Sequence, residues 1–319
     1  MGGSETMARI LVCDPIHPEG VGRLVGAGHE VLVKDDIAHG ELLEIVDRFH
    51  ALVVRSRTRV DKEVIERGRS LKAIARAGVG LEKIDTFHAR ERGIQVMNAP
   101  EALTQSVAEL TIGLLIALAR GIVRGDRSMK GGAWLKEELM GVELSGKTLG
   151  IVGFGRIGRR TCELAVKIGM RVMAYEILEI GREYLDRGVR QVTLEELLAN
   201  SDFITLHVPL TKDTRHLIDA EALRKTKPRA YLVNVARGEV VDPKALEEAL
   251  RTGRLAGSAI DVYEVEPPSR ASLIGLDGVL ATPHIGAQTR DAQRKASVIV
   301  CDKLLEILGE SEERVSAPS

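Results

Sequence analysis

Aromatic side chains are scarce in this 319-residue chain: four Phe, four Tyr and one Trp, 3% in all. A core must then be built from Ile, Leu, Val and Ala, the residues of helices packed on buried parallel strands. Cysteine is nearly absent. Cys13, Cys162 and Cys301 are too widely spaced for a CxxC pair or a disulfide ladder, so neither a cystine scaffold nor a metal centre is expected. An excess of one charge is also missing, with 45 Lys+Arg against 46 Asp+Glu and a formal net charge of −1. Neither nucleic acid nor an anionic membrane is therefore an expected partner, and an anionic ligand must be caught by a local site. The uncharged stretch Leu110–Ala119 is about half of the ~20 residues a membrane span needs. The N-terminus has no basic segment followed by an apolar one. A soluble cytoplasmic protein is expected, with the opening Met1-Gly-Gly-Ser-Glu-Thr6 lying outside the fold.

What is present is ordinary globular usage, 44% hydrophobic and 29% charged residues, over a length that suggests two or three domains. Short apolar segments alternate with longer mixed ones. Ile10–Cys13, Glu30–Val33, Ala51–Val54, Lys72–Ala75 and Ile94–Met97 read as buried strands, with helices such as Gly40–Phe49 and Lys62–Arg67 between them. One long helix is expected over Ser106–Met129, ended by Gly131-Gly132. A second series follows, with strands at Leu149–Val152, Arg171–Tyr175, Phe203–Leu206, Tyr231–Val235, Ala259–Val262 and Val279–Ala281. Helices fall between them at about 157–168, 194–199, 219–225 and 243–251. This βα alternation predicts two parallel-sheet layers. The last helix, about 288–308, has no place left in the second layer and is expected to return to the first; the polar tail Gly309–Ser319 is expected to lack fixed structure.

The second series opens on Thr148-Leu-Gly-Ile-Val-Gly153-Phe-Gly155-Arg-Ile-Gly158. With 32 glycines in the chain, GxGxxG should arise by chance about 0.3 times, so its surroundings must decide. An apolar strand precedes it, a proline-free helix pattern follows, and Glu176 ends the next strand 18 residues after Gly158. In a dinucleotide site Gly153 makes the tight turn, Gly155 lets the backbone approach the pyrophosphate and Gly158 lets helix and strand pack closely. Glu176 is placed to accept from both adenosine-ribose hydroxyls and would repel a 2′-phosphate. No Arg follows before Arg182, which favours NAD.

Three later residues each stand just past a buried strand: Arg237 in Val233-Asn-Val-Ala-Arg-Gly, Glu266 before Pro267-Pro268, and His284 in Ala281-Thr-Pro-His-Ile-Gly. Each alone has an ordinary reading, as a structural guanidinium, an exposed loop acid and a half-buried imidazole. In an open parallel sheet, however, ligands bind beyond the carboxyl ends of the strands, so all three can serve one site.

Met129-Lys-Gly-Gly-Ala-Trp134, Met140-Gly-Val-Glu-Leu-Ser-Gly-Lys-Thr-Leu-Gly150 and Gly155-Arg-Ile-Gly158, together with Arg237, Glu266 and His284, resemble the D-isomer-specific 2-hydroxyacid dehydrogenases. The resemblance runs from Met7 to about Gly309. Through Trp134, Arg76-Ala-Gly-Val-Gly80 and Thr282–Gln293 it is strongest toward the branch that acts on D-3-phosphoglycerate, at the head of serine biosynthesis. It implies two parallel-sheet Rossmann or flavodoxin-like domains: a discontinuous substrate-binding domain, 7–103 and 288–319, into which an NAD-binding domain, 104–287, is inserted. It implies oxidation at C2 of the hydroxy acid, with Arg237 on the carboxylate and carbonyl oxygen, His284 exchanging the proton and Glu266 paired with His284. The Arg156-Ile157 amides would hold pyrophosphate. His207-Val208-Pro209, Val235-Ala236, His284 and Gly286-Ala287 would line the nucleotide, and Asp261 would meet the carboxamide. Gly78-Val79-Gly80 would meet the substrate carboxylate. A homodimer, or a tetramer, is expected from the 106–129 helix and the Trp134 segment.

Arg55-Ser56 and Arg76, each following a strand of the first layer, are candidates to receive a phosphate. The segment after Trp134 keeps one basic residue, Lys136, beside Glu137 and Glu138, which weakens a phosphate contact from a neighbouring subunit. Glu176-Ile177 stands where the family commonly has Asp-Pro, and no regulatory domain or serine feedback is expected. A glyoxylate/hydroxypyruvate reductase or a D-lactate dehydrogenase would share every motif except the basic rim. An NAD-sensing corepressor-like binding protein would share the fold and the three residues.

Overall fold

A computed structural model describes residues 7–269 and 273–315, with side chains to Gly309. The chain divides into two compact units, Thr104–Ala287 and the remainder on either side of it.

The first unit runs β1 (Arg9–Val12), α1 (Pro18–Gly26), β2 (Glu30–Val33), α2 (His39–Ile45), β3 (Ala51–Val54), α3 (Lys62–Arg67), β4 (Ala73–Arg76), α4 (Thr86–Glu91) and β5 (Gln95–Asn98). All strands are parallel, in the order β2-β1-β3-β4-β5. The central strands are buried on both faces, as expected where helices cover a parallel sheet: Leu11, Leu52, Val54 and Ile74 pack with Leu42, Val64 and Ile65.

The second unit starts with α5 (Thr104–Arg120) and α6 (Ile122–Lys130). It continues as β6 (Thr148–Val152), α7 (Arg156–Lys167), β7 (Arg171–Tyr175), α8 (Arg182–Leu185), β8 (Arg190–Gln191), α9 (Leu194–Asn200) and β9 (Phe203–Leu206). Then come α10 (Ala220–Lys225), β10 (Ala230–Asn234), α11 (Pro243–Arg251), β11 (Leu255–Ile260) and β12 (Val279–Ala281). Seven parallel strands lie in the order β12-β11-β10-β9-β6-β7-β8, so the winding reverses between β6 and β9. Val152, Ile204, Leu206 and Leu232 pack with Leu197, Leu223 and Leu246. The helical stretch Pro100–Arg120, which contains α5, is long and apolar enough by length and composition alone to cross a membrane. Its face is taken by the sheet and α7, with Val107, Ala108, Leu114 and Leu115 buried.

The closing helix α12 (Arg290–Val315) packs on α1, β4 and β5 of the first unit. A Cβ on Gly20 would lie 2.9 Å from Ser297 O, so that glycine sets how closely α1 and α12 approach. Arg294–Glu19 (2.5 Å) and Arg23–Asp302 (3.1 Å) tie the exposed side of the contact.

Several boundaries differ from the sequence-based expectation. The single helix over 106–129 is two: Gly121, at φ 59°, breaks it where a Cβ would come 3.1 Å from Leu139. The strand expected at 259–262 starts four residues earlier, because Gly257 and Ser258 are buried strand positions; a Cβ on Gly257 would touch Gly278 O (3.1 Å) and Leu118 (3.5 Å). The tail expected from Gly309 continues as helix to Val315, and residues 316–319 lie outside the described residues.

Candidate active site

The glycine turn lies at the reversal of strand order, between the ends of β6 and β9. Gly153 has φ +92°, and a Cβ there would meet the His207 carbonyl carbon and Val208 at 2.8 Å; one on Gly158 would lie 2.2 Å from Gly153 O. These two glycines are needed for packing. Gly155 differs: nothing lies within 4 Å of where its Cβ would be. Gly155 also begins α7 without a side-chain cap, whereas α9, α10 and α11 are capped by Thr193, Asp219 and Asp242. A 12-residue helix with uncapped amides facing open space is an anion site. The amides of Arg156 and Ile157 lie in its first turn.

Glu176 closes the other side of the turn. Its carboxylate accepts from Phe154 N (2.8 Å) and Ile177 N (2.9 Å), which fixes it beside the glycines. His207 bonds Thr205 Oγ1 through Nε2 (3.1 Å), while its Nδ1 is buried with no partner among the described residues. Burial pushes its pKa down to about 3, so the imidazole stays neutral. Val235 and Ala236 are buried at the end of β10, and Pro209 is exposed. The open glycine, the uncapped helix and the orphaned nitrogen together fit a dinucleotide.

Three adjacent strands carry the next group. After β10, buried Asn234 braces the turn by donating to Arg237 O (2.9 Å) and accepting from Ala236 N (3.0 Å). Arg237 donates to Ala236 O (2.7 Å). A Cβ on Gly238 would lie 2.0 Å from the Tyr263 carbonyl carbon, so only glycine lets the Arg237 turn touch the segment leading to Glu266. After β11, both Glu266 oxygens lie 2.9 Å from His284 Nδ1, which follows β12. A carboxylate only accepts, so Nδ1 carries a hydrogen, and in the neutral imidazole the lone pair is then on Nε2. The pair is half-exposed.

His284 sits at φ 53°, the left-handed region, at a cost on the order of 1 kcal/mol. Asp261, 1% exposed, holds it there by accepting from Thr282 Oγ1 (2.6 Å), Ile285 N (2.8 Å) and Gly286 N (2.8 Å), on both sides of the histidine. Of about four carboxylate acceptor positions, three are thus used within the protein. Ser106 Oγ donates to Gly286 O (2.7 Å), and Tyr263 OH donates to Thr282 O (2.8 Å). Burial, with Asp261 and Glu266 nearby, raises the Tyr263 pKa and keeps that hydroxyl a donor. Ala287 ends the unit. Sequence reasoning missed these braces; a polar Asn234 at the end of a buried strand was the available signal for one of them.

In the other unit, Arg55 follows β3 and donates to Gln288 Oε1 (3.2 Å), with Ser56 exposed beside it. Arg76 turns onto its own loop, donating to Ala77 O (2.9 Å) and Gly80 O (3.1 Å). Asn98 donates to Val79 O (2.6 Å) and Gly78 O accepts from Ala99 N (2.9 Å), so the 78–80 loop is pinned from both sides. Lys136 is exposed. Among the described residues no three His, Cys, Asp or Glu side chains gather as metal ligands.

The NAD binding domain of the D-isomer specific 2-hydroxyacid dehydrogenases matches residues 112–286. The hydroxypyruvate reductase of Thermotoga maritima is 43% identical over 304 residues, 94% of this chain and 98% of its own. The D-3-phosphoglycerate dehydrogenase of Methanocaldococcus jannaschii is 46% identical over 312 residues, 97% of this chain but 59% of that longer protein. The D-lactate dehydrogenase of Aquifex aeolicus, solved with NAD and lactic acid, superposes with a TM-score of 0.82 at 26% identity, covering 98% of this chain and 100% of that one. Matches of this extent make the chain a member of the D-isomer-specific 2-hydroxyacid dehydrogenase family, with NAD as its cofactor.

Proposed function

We propose that this chain oxidises D-3-phosphoglycerate to 3-phosphohydroxypyruvate, with His284 as acid–base, Glu266 as its partner and Arg237 as the carboxylate clamp. The observation that carries the chemistry is the Glu266–His284 pair, both oxygens 2.9 Å from Nδ1. NAD supplies the hydride acceptor for C2. Nε2 of His284 takes the hydroxyl proton as the C2 hydrogen leaves, and Glu266 stabilises the imidazolium that results. A base positioned this way contributes ~10²–10⁴-fold. Arg237 offers a planar fork of donors that orients the carboxylate and the C2 oxygen, which a lysine point charge does less well.

The phosphorylated substrate is favoured by Arg55. Arg57 pairs with Asp14 (3.3 Å) and Arg59 with Asp61 (3.6 Å), while the Arg55 guanidinium, near the Asp14 charge but not paired with it, donates to the neutral amide of Gln288. Burial lowers its pKa, so an arriving phosphate relieves a desolvated cation. The full-length match to a hydroxypyruvate reductase favours a second reading, in which the unphosphorylated 2-oxo acid is preferred. NADH oxidation with 3-phosphohydroxypyruvate, hydroxypyruvate, glyoxylate and pyruvate separates the two: the first must have the highest kcat/KM, and Arg55→Ala must lower it selectively. Turnover on any of them at ordinary enzyme rates excludes a purely NAD-sensing role. We place the enzyme in the cytoplasm as a homodimer. Ile122, Val123, Met129, Trp134 and Met140 are exposed apolar side chains within one stretch of 19 residues, which a second copy would cover. Light scattering that shows only monomer at micromolar concentration refutes the dimer.

A further inference from the structure

Asp14 follows β1 and has no part in the chemistry above, yet its side chain is 1% exposed and is surrounded by donors from a single turn. The turn is Arg55–Thr58. Its carboxylate accepts from the backbone amide of Arg55, from Thr58 N (3.2 Å to each oxygen) and from Thr58 Oγ1 (2.8 Å), and it faces Arg57 Nε at 3.3 Å. Arg57 spends its remaining donors on Cys13 O (2.5 Å), Ile37 O (2.8 Å) and Asp35 O (2.8 Å), which ties the turn to the segments after β1 and β2. The amide and guanidinium neighbours of Asp14 can only donate, and Thr58 Oγ1 also reaches Cys13 O (3.1 Å). Arg57 is exposed but committed to these contacts, so the turn leaves the half-exposed Arg55 and the exposed Ser56 to face a ligand, in a conformation set from beneath by one buried carboxylate.

We propose that Asp14 is a positioning residue for the substrate: by tethering the Arg55–Thr58 turn it holds Arg55 and Ser56 in the orientation that receives the distal anionic group, a phosphate, of the 2-hydroxy acid. The proposal rests on the assignment of Arg55-Ser56 to the substrate. Asp14→Asn tests it, because asparagine brings two donors of its own into a site whose amide and guanidinium partners can only donate. The turn must then rearrange although the shape of the side chain is kept.

Steady-state kinetics on the full-length protein give the readout, with 3-phosphohydroxypyruvate and hydroxypyruvate as probes. Asp14→Asn should raise KM for 3-phosphohydroxypyruvate about 10–100-fold with kcat within a few-fold. KM for NADH should not change, nor should that for hydroxypyruvate by more than a few-fold. A merely structural residue would lower the amount of active enzyme for all substrates alike. Thr58→Val, which removes a single donor, accompanies it and should raise the same KM in the same direction. Should Asp14→Asn fail to fold, a wild-type KM in folded Thr58→Val overturns the proposal and a raised one supports it. Arg55→Ala distinguishes the levels of the argument. If it raises KM for the phosphorylated substrate while Asp14→Asn and Thr58→Val do not, the role of Asp14 is wrong and the substrate assignment stands. If none of the three variants moves that KM, the substrate assignment fails and takes this proposal with it.

Discussion

Two glycines three residues apart should respond in opposite ways to the same added methyl group. A Cβ on Gly158 would lie 2.2 Å from Gly153 O and 3.2 Å from Ile151 Cγ2. A carbon against a carbonyl oxygen needs about 3.3 Å, so α7 must back away from the turn by roughly 1 Å. Overpacking of this kind costs ~1–3 kcal/mol, or about 2–12 °C of Tm for a unit of this size. A displacement of ~1 Å at a binding helix is also enough to cost about 10²-fold in function. Gly155→Ala should behave otherwise. Its backbone, φ −72° and ψ −160°, is open to alanine, and no atom lies within 4 Å of the new methyl. Lost backbone freedom in the unfolded chain stabilises by ~0.4–1 kcal/mol and the poorer N-cap offsets a similar amount, so Tm should hardly move. The methyl instead occupies the space through which a pyrophosphate reaches the α7 amides, and NADH should bind at least ~10-fold more weakly, about 1.4 kcal/mol. Fluorescence titration with NADH and thermal unfolding, run on both variants, give the four numbers. A Gly155→Ala protein that binds NADH like the wild type would refute the cofactor geometry, and a Gly158→Ala protein with unchanged Tm would refute the packing argument.

Arg237→Lys should lower kcat/KM for the 2-oxo acid by about 10–150-fold, the value of a charge-assisted hydrogen bond of ~1.5–3 kcal/mol, with the NADH dissociation constant unchanged. His284→Ala should lower the oxidation rate ~10²–10⁴-fold in single-turnover experiments, and a variant that keeps the wild-type rate would contradict the assignment. His207 gives a stability test whose sign follows from its depressed pKa of about 3. Above about pH 6.5 neither state binds a proton there. As the pH falls from there toward 3, the unfolded chain takes one that the folded chain refuses, so native stability declines by up to ~1.4 kcal/mol per pH unit. His207→Gln should flatten that part of the Tm-against-pH curve, and parallel curves would refute the burial argument.

What was legible in the sequence was whatever one local pattern determines. Ala51–Val54, Phe203–Leu206 and Val279–Ala281 are apolar runs bounded by polar or turn residues, and the strands lie where those runs lie. The turn from Gly153 to Gly158 was legible as a pattern of three glycines: Gly153 and Gly158 answer separate packing demands, and Gly155 leaves the space before the α7 amides open. Contacts between distant segments were not. Gly121 breaks the long helix at a left-handed backbone angle beside Leu139, and Gly257 is a strand residue that the carbonyl of distant Gly278 approaches closely. Asp261 was read toward a ligand, but its bonds to Thr282, Ile285 and Gly286 depend on a loop more than 20 residues away. The bonds of Arg76 to Ala77 O and Gly80 O, which hold its own loop, were likewise not legible from its charge.

The most direct test is a crystal structure of the protein with NADH and an unreactive analogue of the 2-oxo acid. Nε2 of His284 should stand within about 3.2 Å of the oxygen at C2, with Glu266 still on Nδ1 and the Arg237 fork on the carboxylate. An imidazole turned away from the bound acid, or a carboxylate held by some other cation, would contradict the account.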